Sequence, residues 1–181
     1  MKRTKFWMMA AILTCGLTAA SLASCGGDDE QEPAPVAQVS KVRIAYSVEA
    51  EQSTLSAFHV NVYRTGEDGN TDPEAMTATT WTKTVEIPAA KLPCKVQLYT
   101  VVRPNDEAAK SSGLKFGIGK SITITSMKND GTVADNNSQV LSKSANEVED
   151  GLPLSDIAYS MNGLEAKWSF TVDKSGKITQ D

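Results

Sequence analysis

Apolar and polar residues alternate with a period of two over most of the chain after residue 40. Such alternation predicts half-buried strands, because successive side chains of a strand point to opposite faces of a sheet. The first strand spans 41–49, with Val42, Ile44, Tyr46 and Val48 on its apolar face. The other segments with this pattern are 58–63, 81–87, 94–102, 114–124 and 166–172, followed by a short strand around Ile178.

The segment 114–124 keeps its apolar residues in phase across two glycines. Glycine inside a strand pattern indicates a bend or the close approach of another backbone. We therefore expect either one long kinked strand or two short strands that meet near Gly119.

Turn residues separate the strands, above all in 64–70 (RTGEDGN), 128–131 (KNDG) and 173–177 (DKSGK). Glycine, asparagine and aspartate tolerate the backbone angles that tight turns need. Short strands between such turns predict an all-β fold, a single immunoglobulin-like or Greek-key β-sandwich of about seven strands. Trp81 and Trp168 are expected to be the largest side chains of its core.

Residues 133–163 have the weakest pattern, and no window of the chain shows a sustained helical stripe. The best helix candidate, 144–149, is short. A long segment without secondary structure is uncommon inside a compact domain, so we expect short hidden strands near 140–141 and 157–159. The alternative is a functional or mobile loop.

The start of the chain has a different pattern. Lys2, Arg3 and Lys5 precede a run without charge that extends from Phe6 to Gly27. A basic start, an apolar core and small residues are typical of a secretory signal peptide. The apolar core, 6–20, is shorter than the about 20 residues that a membrane-spanning helix needs. A retained transmembrane anchor is therefore the less favoured alternative.

Leu22-Ala23-Ser24-Cys25 ends this leader. The four residues resemble the lipobox of bacterial lipoproteins, in which a leucine and two small residues precede a cysteine that receives the lipid. The resemblance implies that Cys25 becomes the acylated first residue of the mature protein and attaches it to a membrane. Cys15 is the rival candidate, but no small residue stands directly before it, and the segment after it is still apolar.

Gly26-Gly27-Asp28-Asp29-Glu30 follows the cysteine. This acidic cluster resembles the export signal of surface-exposed lipoproteins of the Bacteroidetes type, which implies display at the surface of the bacterial outer membrane. The alternative is a solvated spacer without further purpose. The chain then divides into a lipoprotein signal peptide (1–24), a flexible acidic tether (25–39) and a β-sandwich domain (40–181).

The leader holds three of the 18 basic residues and none of the 22 acidic ones, so its removal changes the net charge from −4 to −7. A domain this acidic lacks the positive surface that nucleic-acid binding requires. The same charge disfavours adsorption to an anionic membrane, so attachment is expected to depend on the N-terminal lipid.

Cysteine and histidine are too scarce for several kinds of site. Once Cys25 is acylated, Cys94 is the last cysteine of the mature chain, which excludes an intrachain disulfide and a cysteine-based zinc site. Cys94 is in phase with Val96 and is expected to be a buried apolar filler. His59, the single histidine, falls on the polar face of its strand and is expected to face solvent rather than act as a base.

Two stretches resemble ligand loops only partly. GLKFGIGKS (113–121) has five residues where the phosphate-binding loop has four, and it lies on a strand pattern, so no nucleotide cofactor is expected. Oxygen-bearing residues at alternate positions suggest a calcium loop, although proline and threonine stand where an EF-hand needs glycine and glutamate. We expect a solvated acidic turn there, with calcium as the alternative; the four residues are Asp68, Asn70, Asp72 and Glu74.

These observations predict a non-enzymatic, lipid-anchored domain with a binding or structural role, whose ligand is a glycan or an envelope protein. Tyr63, Tyr99 and Tyr159 are the aromatic residues least tied to the core, and exposed aromatic rings can stack on sugars. One alternative is a small hydrolase that uses carboxylates of the unassigned segment, Glu147, Glu149 and Asp150. Another is a subunit of a surface fibre or complex, which would have a long unpaired sheet edge.

Overall fold

The alternating segments form two antiparallel sheets in the computed structural model of this protein, which describes residues 38–164 and 167–181. Helices α1 (Gln52–Ala57) and α2 (Leu154–Leu164) and a 3-10 turn at Ala89–Lys91 connect the strands. In chain order the strands are β1 (Val39–Ala50), β2 (Phe58–Thr65), β3 (Thr71–Ala75), β4 (Thr80–Pro88), β5 (Cys94–Pro104), β6 (Lys115–Phe116), β7 (Ile118–Lys128), β8 (Val133–Leu141), β9 (Asn146–Glu147), β10 (Trp168–Val172) and β11 (Ile178–Gln180).

The strand order is β4-β1-β7-β8 in one sheet and β11-β10-β5-β2-β3 in the other, while β6 and β9 form a separate two-stranded ladder. All pairings between these strands are antiparallel. This architecture confirms the predicted all-β sandwich. Neither helix in the described part of the chain is long and apolar enough to cross a bilayer.

The hydrophobic core consists of the inward-facing side chains of both sheets, at the phase that the sequence pattern predicts. The apolar residues predicted to face inward from β1 are at most 2% exposed, namely Val42, Ile44, Tyr46 and Val48. The other sheet contributes buried residues from its three central strands, Phe58, Val60, Val62, Val96, Leu98, Val102, Phe170 and Val172. Burial of one face per strand therefore explains why period two predicted these strands.

The two tryptophans are not the largest core residues, contrary to the prediction. Trp81 and Trp168 are only partly buried and pack against the margin of the core, whereas Phe58 and Phe170 are the largest fully buried side chains. Trp81 is the second residue of edge strand β4, and Trp168 is the first residue of β10. Both tryptophan side chains therefore lie at the margin of the core rather than at its centre.

Gly117 and Gly119 allow another part of the chain to approach. A Cβ atom on Gly119 would lie 2.7 Å from the backbone nitrogen of Lys143, and one on Gly117 would lie 2.8 Å from the carbonyl oxygen of Ser144. The two-strand alternative is confirmed, but the break between β6 and β7 falls at Gly117 rather than near Gly119. These glycines therefore serve backbone packing.

The unassigned segment 133–163 contains more structure than expected. Residues 140–141 belong to the nine-residue strand β8, which confirms the first hidden strand. Residues 144–149 are not helical, because Asn146 and Glu147 pair with β6 as β9.

Residues 157–159, predicted as a strand, belong to helix α2. Its buried or half-buried apolar residues have helical spacing on one face: Leu154, Ile157, Ala158 and Met161. A proline directly precedes the helix. Sequence reasoning missed both features. This spacing of three and four is the signal that could have identified the helix.

A polar seam joins the two sheets at the margin of the core. Gln139 Nε2 on β8 donates a hydrogen bond to Gln180 Oε1 on β11 at 2.7 Å, and the backbone N–H of Ile178 donates to the Asp135 carboxylate at 2.8 Å. The inward positions of β8 are thus partly polar, and its apolar residues Val140 and Leu141 are 70% and 43% exposed. The core therefore ends at β8.

Replacing a fully buried aromatic side chain should show that this core carries the fold. Phe58 is 1% exposed and packs edge-on against Phe116, with ring centroids 5.9 Å apart. We expect Phe58→Ala to lower the free energy of unfolding by about 3–5 kcal/mol, because it leaves a cavity. The matched control, Tyr159→Ala, removes a ring that is 83% exposed and should change it by less than about 0.5 kcal/mol. Chemical denaturation measures both, and equal effects would contradict this account of the core.

Candidate functional site

The predicted lipid-attachment residue, Cys25, lies outside the described residues, as do the signal peptide 1–24 and most of the tether. Lipid attachment therefore stays a prediction from the sequence. The candidate sites within the sandwich have to be judged from its own geometry.

The acidic stretch after β2 consists of a turn followed by strand β3. The sequence pattern missed this strand. Asp68 remains in the turn, where its carboxylate accepts hydrogen bonds from the backbone and side chain of Asn70. These two hydrogen bonds lower the pKa of Asp68 below its ordinary value. On β3, Asp72 and Glu74 instead face the guanidinium group of Arg64, at 3.6 and 3.7 Å.

This arrangement gives the calcium alternative no support. Two of the four candidate oxygen donors face an arginine rather than an open coordination site. Among residues 38–164 and 167–181, no group of three or more histidine, cysteine, aspartate or glutamate side chains could hold a metal ion. Pro73 fits this geometry because β3 is an edge strand, where a missing N–H donor is tolerated.

Arg64 and Tyr46 form a buried polar cluster that sequence reasoning missed. Arg64 is in phase with the inward residues of β2, and its side chain is only 10% exposed. Tyr46 on β1 donates a hydrogen bond through its hydroxyl to the carbonyl oxygen of Thr65 at 3.1 Å. Burial raises the pKa of Tyr46 well above its ordinary value, although Arg64 acts in the opposite direction. The phase of Arg64 was the available signal, but the sequence pattern had assigned it to a turn.

The three predicted tyrosines do not form one site. Tyr63 and Tyr99 are cross-strand partners on the outer face of the five-stranded sheet, and their rings stack with centroids 4.8 Å apart and planes 6° apart. The Lys167 ammonium lies 5.2 Å from the centroid of Tyr99. Two ring faces are thus turned toward each other and a third faces a cation, which leaves little free ring surface for a sugar. Tyr159 lies on α2 and is 83% exposed.

The positions of His59 and Cys94 do not favour a catalytic role for either side chain. His59 is exposed on the outer face of β2, opposite Arg103 of β5. Cys94 is half-buried at an inward position, and burial raises the pKa of its thiol, which disfavours the reactive thiolate. Both placements agree with the expectations for a solvent-facing histidine and a packed thiol.

The three carboxylates of the hydrolase alternative are all exposed. Glu147 pairs with Lys115 at 3.3 Å, and Asp150 accepts a hydrogen bond from the backbone N–H of Gly113 at 2.7 Å. All three come from the short segment 147–150. Paired carboxylates for glycoside cleavage stand on opposite sides of the bond that breaks. A single exposed segment does not supply that arrangement by itself.

The two edges of the four-stranded sheet differ in how they are protected. Both edge strands, β4 and β8, are nine residues long, and within residues 38–164 and 167–181 each pairs with one neighbour only. The β4 edge carries Lys83, Glu86 and Pro88, residue types that discourage pairing with a further strand. Residues 136–141 of β8 contain no charge, proline or glycine. This segment, hereafter the open edge, is the candidate binding surface for an added strand.

No protein-family model, no curated protein and no solved structure matches this chain. Function can therefore be inferred only from the sequence of the first thirty residues and from the surfaces of the sandwich.

Alkaline pH should test the burial of the Tyr46 hydroxyl. Because its pKa is raised in the folded protein, its contribution to stability is fully present below about pH 10 and is lost as the pH rises toward the folded value. We expect Tyr46→Phe to lower the free energy of unfolding at pH 7 by about 1 kcal/mol through the lost hydrogen bond, and to weaken the decline above about pH 10.

Denaturant titrations at several pH values measure this difference. Tyr159→Phe is the control, because that hydroxyl is on an exposed ring. A decline above pH 10 that is equally steep in all three proteins would contradict the assignment of this effect to Tyr46.

Proposed function

We propose that this protein is a lipoprotein of the bacterial outer membrane, anchored through Cys25 and displayed at the cell surface, whose β-sandwich binds or assembles with another envelope protein. The anchor is supported by the sequence from Leu22 to Glu30. The binding role is supported by one structural observation, the open edge of β8. The proposal assigns no catalytic step to the sandwich.

An unpaired strand edge presents a row of backbone N–H and C=O groups. An extended segment of a partner can form hydrogen bonds with these groups and continue the sheet. Exported proteins usually protect such edges with charges, proline or bulges, as β4 does here. The register of β8 shifts beside Asp135, but the six residues that follow have no such protection. Val140 and Leu141 add exposed apolar surface to this edge.

A second copy of the chain is one partner that fits this surface. The order β4-β1-β7-β8, with every neighbour antiparallel, makes β4 antiparallel to β8. A translated copy could therefore place its β4 beside β8, and both strands have nine residues. Such a head-to-tail contact does not close on itself and would build a fibre. The charges of β4 favour a different envelope protein over this self-assembly.

Metabolic labelling with radioactive palmitate tests the anchor. We expect the wild-type chain to incorporate label and Cys25→Ala to incorporate none, because the acyl chains are attached to that residue. Cys15→Ala is the matched control and should label as strongly as the wild type. Unchanged incorporation in Cys25→Ala would refute the anchor, and resistance of the wild type to protease on intact cells would refute surface display.

Photocrosslinking in cells tests the open edge. A photoreactive residue at position 138 of β8 should give a crosslinked species, and adding Val140→Lys should reduce its yield at least about fivefold by placing a charge on the edge. Thr82→Lys is the matched control. Thr82 lies in the same cross-strand row as Val140 and on the same outer face of the sheet, but on the opposite edge strand, β4.

The sandwich should stay folded in both variants, since Val140 is 70% exposed and Thr82 is also exposed. Equal crosslinking in both variants, or none in the wild type, would contradict binding at this edge. Retention of an oligosaccharide on a glycan array by the wild type but not by Tyr159→Ala would favour the glycan alternative instead.

A further inference from the structure

A groove of about 470 Å³ lies between α2 and the preceding segment 146–152. Its volume is within the range of about 300–1,000 Å³ that ligand sites have. The lining surface is mostly apolar, and Leu152 is 40% exposed there. The apolar residues of the groove are Val148, Leu152, Ile157 and Met161.

Separate hydrogen bonds fix the two walls of the groove. Ser111 holds the first wall, since its hydroxyl donates to the carbonyl oxygen of Glu149 at 2.6 Å and accepts the N–H of Leu152 at 3.0 Å. The second wall is α2, whose Asn162 side chain donates to and accepts from the backbone of Val102 at 2.8 and 2.9 Å. A groove whose walls are held this way exists before a ligand arrives, which reduces the ordering cost of binding.

Acidic side chains surround the apolar floor. Glu147 and Glu149 lie on the first wall and Asp156 lies on α2, and all three are exposed. Within residues 38–164 and 167–181, Glu147 is the only one of them that meets a cation, through Lys115. The rim is therefore negative, so it repels a fatty acid and attracts a ligand that combines apolar groups with positive charge.

The edge of strand β9, which belongs to the first wall, favours an extended peptide as the ligand over a small amine. Strand β9, which lines the groove through Asn146 and Glu147, pairs with β6 alone in the part of the chain that the structure describes. Its second edge can form hydrogen bonds with an extended backbone. Alternate side chains of such a backbone would then reach the apolar floor and the acidic rim.

We propose that this groove binds an extended peptide segment of a partner protein in which aliphatic residues alternate with lysine or arginine. The inference deepens the proposed binding function and rests on it for its setting at the cell surface. It names a second surface, distinct from the open edge of β8, and the chemistry of what that surface recognises.

Fluorescence anisotropy with labelled synthetic peptides tests the proposal on the full chain purified in detergent. We expect a ten-residue peptide of alternating leucine and lysine to bind in a saturable manner, and more weakly as salt is added, because the rim charges are exposed. Peptides of alternating leucine and glutamate, or serine and lysine, should bind at least about tenfold more weakly, because each lacks one of the two contacts.

Variants locate the binding in the groove. Leu152→Ser should weaken the leucine–lysine peptide about fivefold or more through lost apolar contact, and Glu149→Gln about threefold through lost charge. Tyr159→Ser and Glu107→Gln are the controls, because they remove an exposed ring and an exposed carboxylate elsewhere. Circular dichroism of each variant verifies that the sandwich is folded.

The proposal is overturned if the leucine–lysine peptide does not bind, if the leucine–glutamate peptide or a fluorescent fatty acid binds equally well, or if control and groove variants weaken binding alike. Val140→Lys changes the open edge alone and should leave peptide affinity unchanged. The two proposals can therefore be refuted independently. Absence of palmitate labelling or of edge crosslinking would refute the proposed function, whereas absence of peptide binding would refute the groove proposal.

Discussion

The inward face of β1 is the constraint on which the rest of the fold depends. Its apolar residues from Val42 to Val48 are at most 2% exposed, and they are enclosed by the second sheet. Because the side-chain period of a strand is two, a slip of one residue would bury Lys41 and Arg43 and expose the apolar set. The register of β1 against β4 and β7 is therefore fixed by burial, and the positions of all other strands in that sheet follow from it.

At β8 the inward positions no longer have to be apolar, because the core ends there. The sequence of this strand is therefore free to suit a different contact. Asp135 and Gln139 occupy inward positions there and form the polar seam with β11 instead of core contacts. The sequence of 136–141 is thus constrained by the surface rather than by the interior. An uncharged strand edge is an aggregation hazard unless something covers it, and β4 carries charges and a proline that reduce this hazard. This asymmetry between the two edges makes β8 the better candidate for a binding surface.

Strands with one face in the core could be predicted from the sequence. Features that depend on contacts between distant parts of the chain could not. Period two identified β1, β2, β4, β5, β7 and β10 because each has one face in the core. It missed β3, where polar residues and Pro73 stand on an exposed edge. The helical spacing around Ile157 was present in α2, but it is confined to one short helix.

The candidate sites follow the same division. Sequence placed Tyr63 and Tyr99 outside the core, yet the stacking of their rings depends on the pairing of β2 with β5. The groove could not be predicted, because its walls are brought together by Ser111 and Asn162 through contacts across 38 to 60 residues of chain.

In the proposed lipoprotein, the charge of the mature chain would affect both the lipid anchor and the two proposed binding surfaces. Asp28, Asp29 and Glu30 of the proposed tether are acidic, like the rim of the groove. A net charge of −7 also repels an anionic membrane surface and other copies of the chain. The proposed lipid on Cys25 would hold such a domain near the membrane despite this repulsion. Basic, extended segments of neighbouring envelope proteins are then the ligands that charge and geometry favour together.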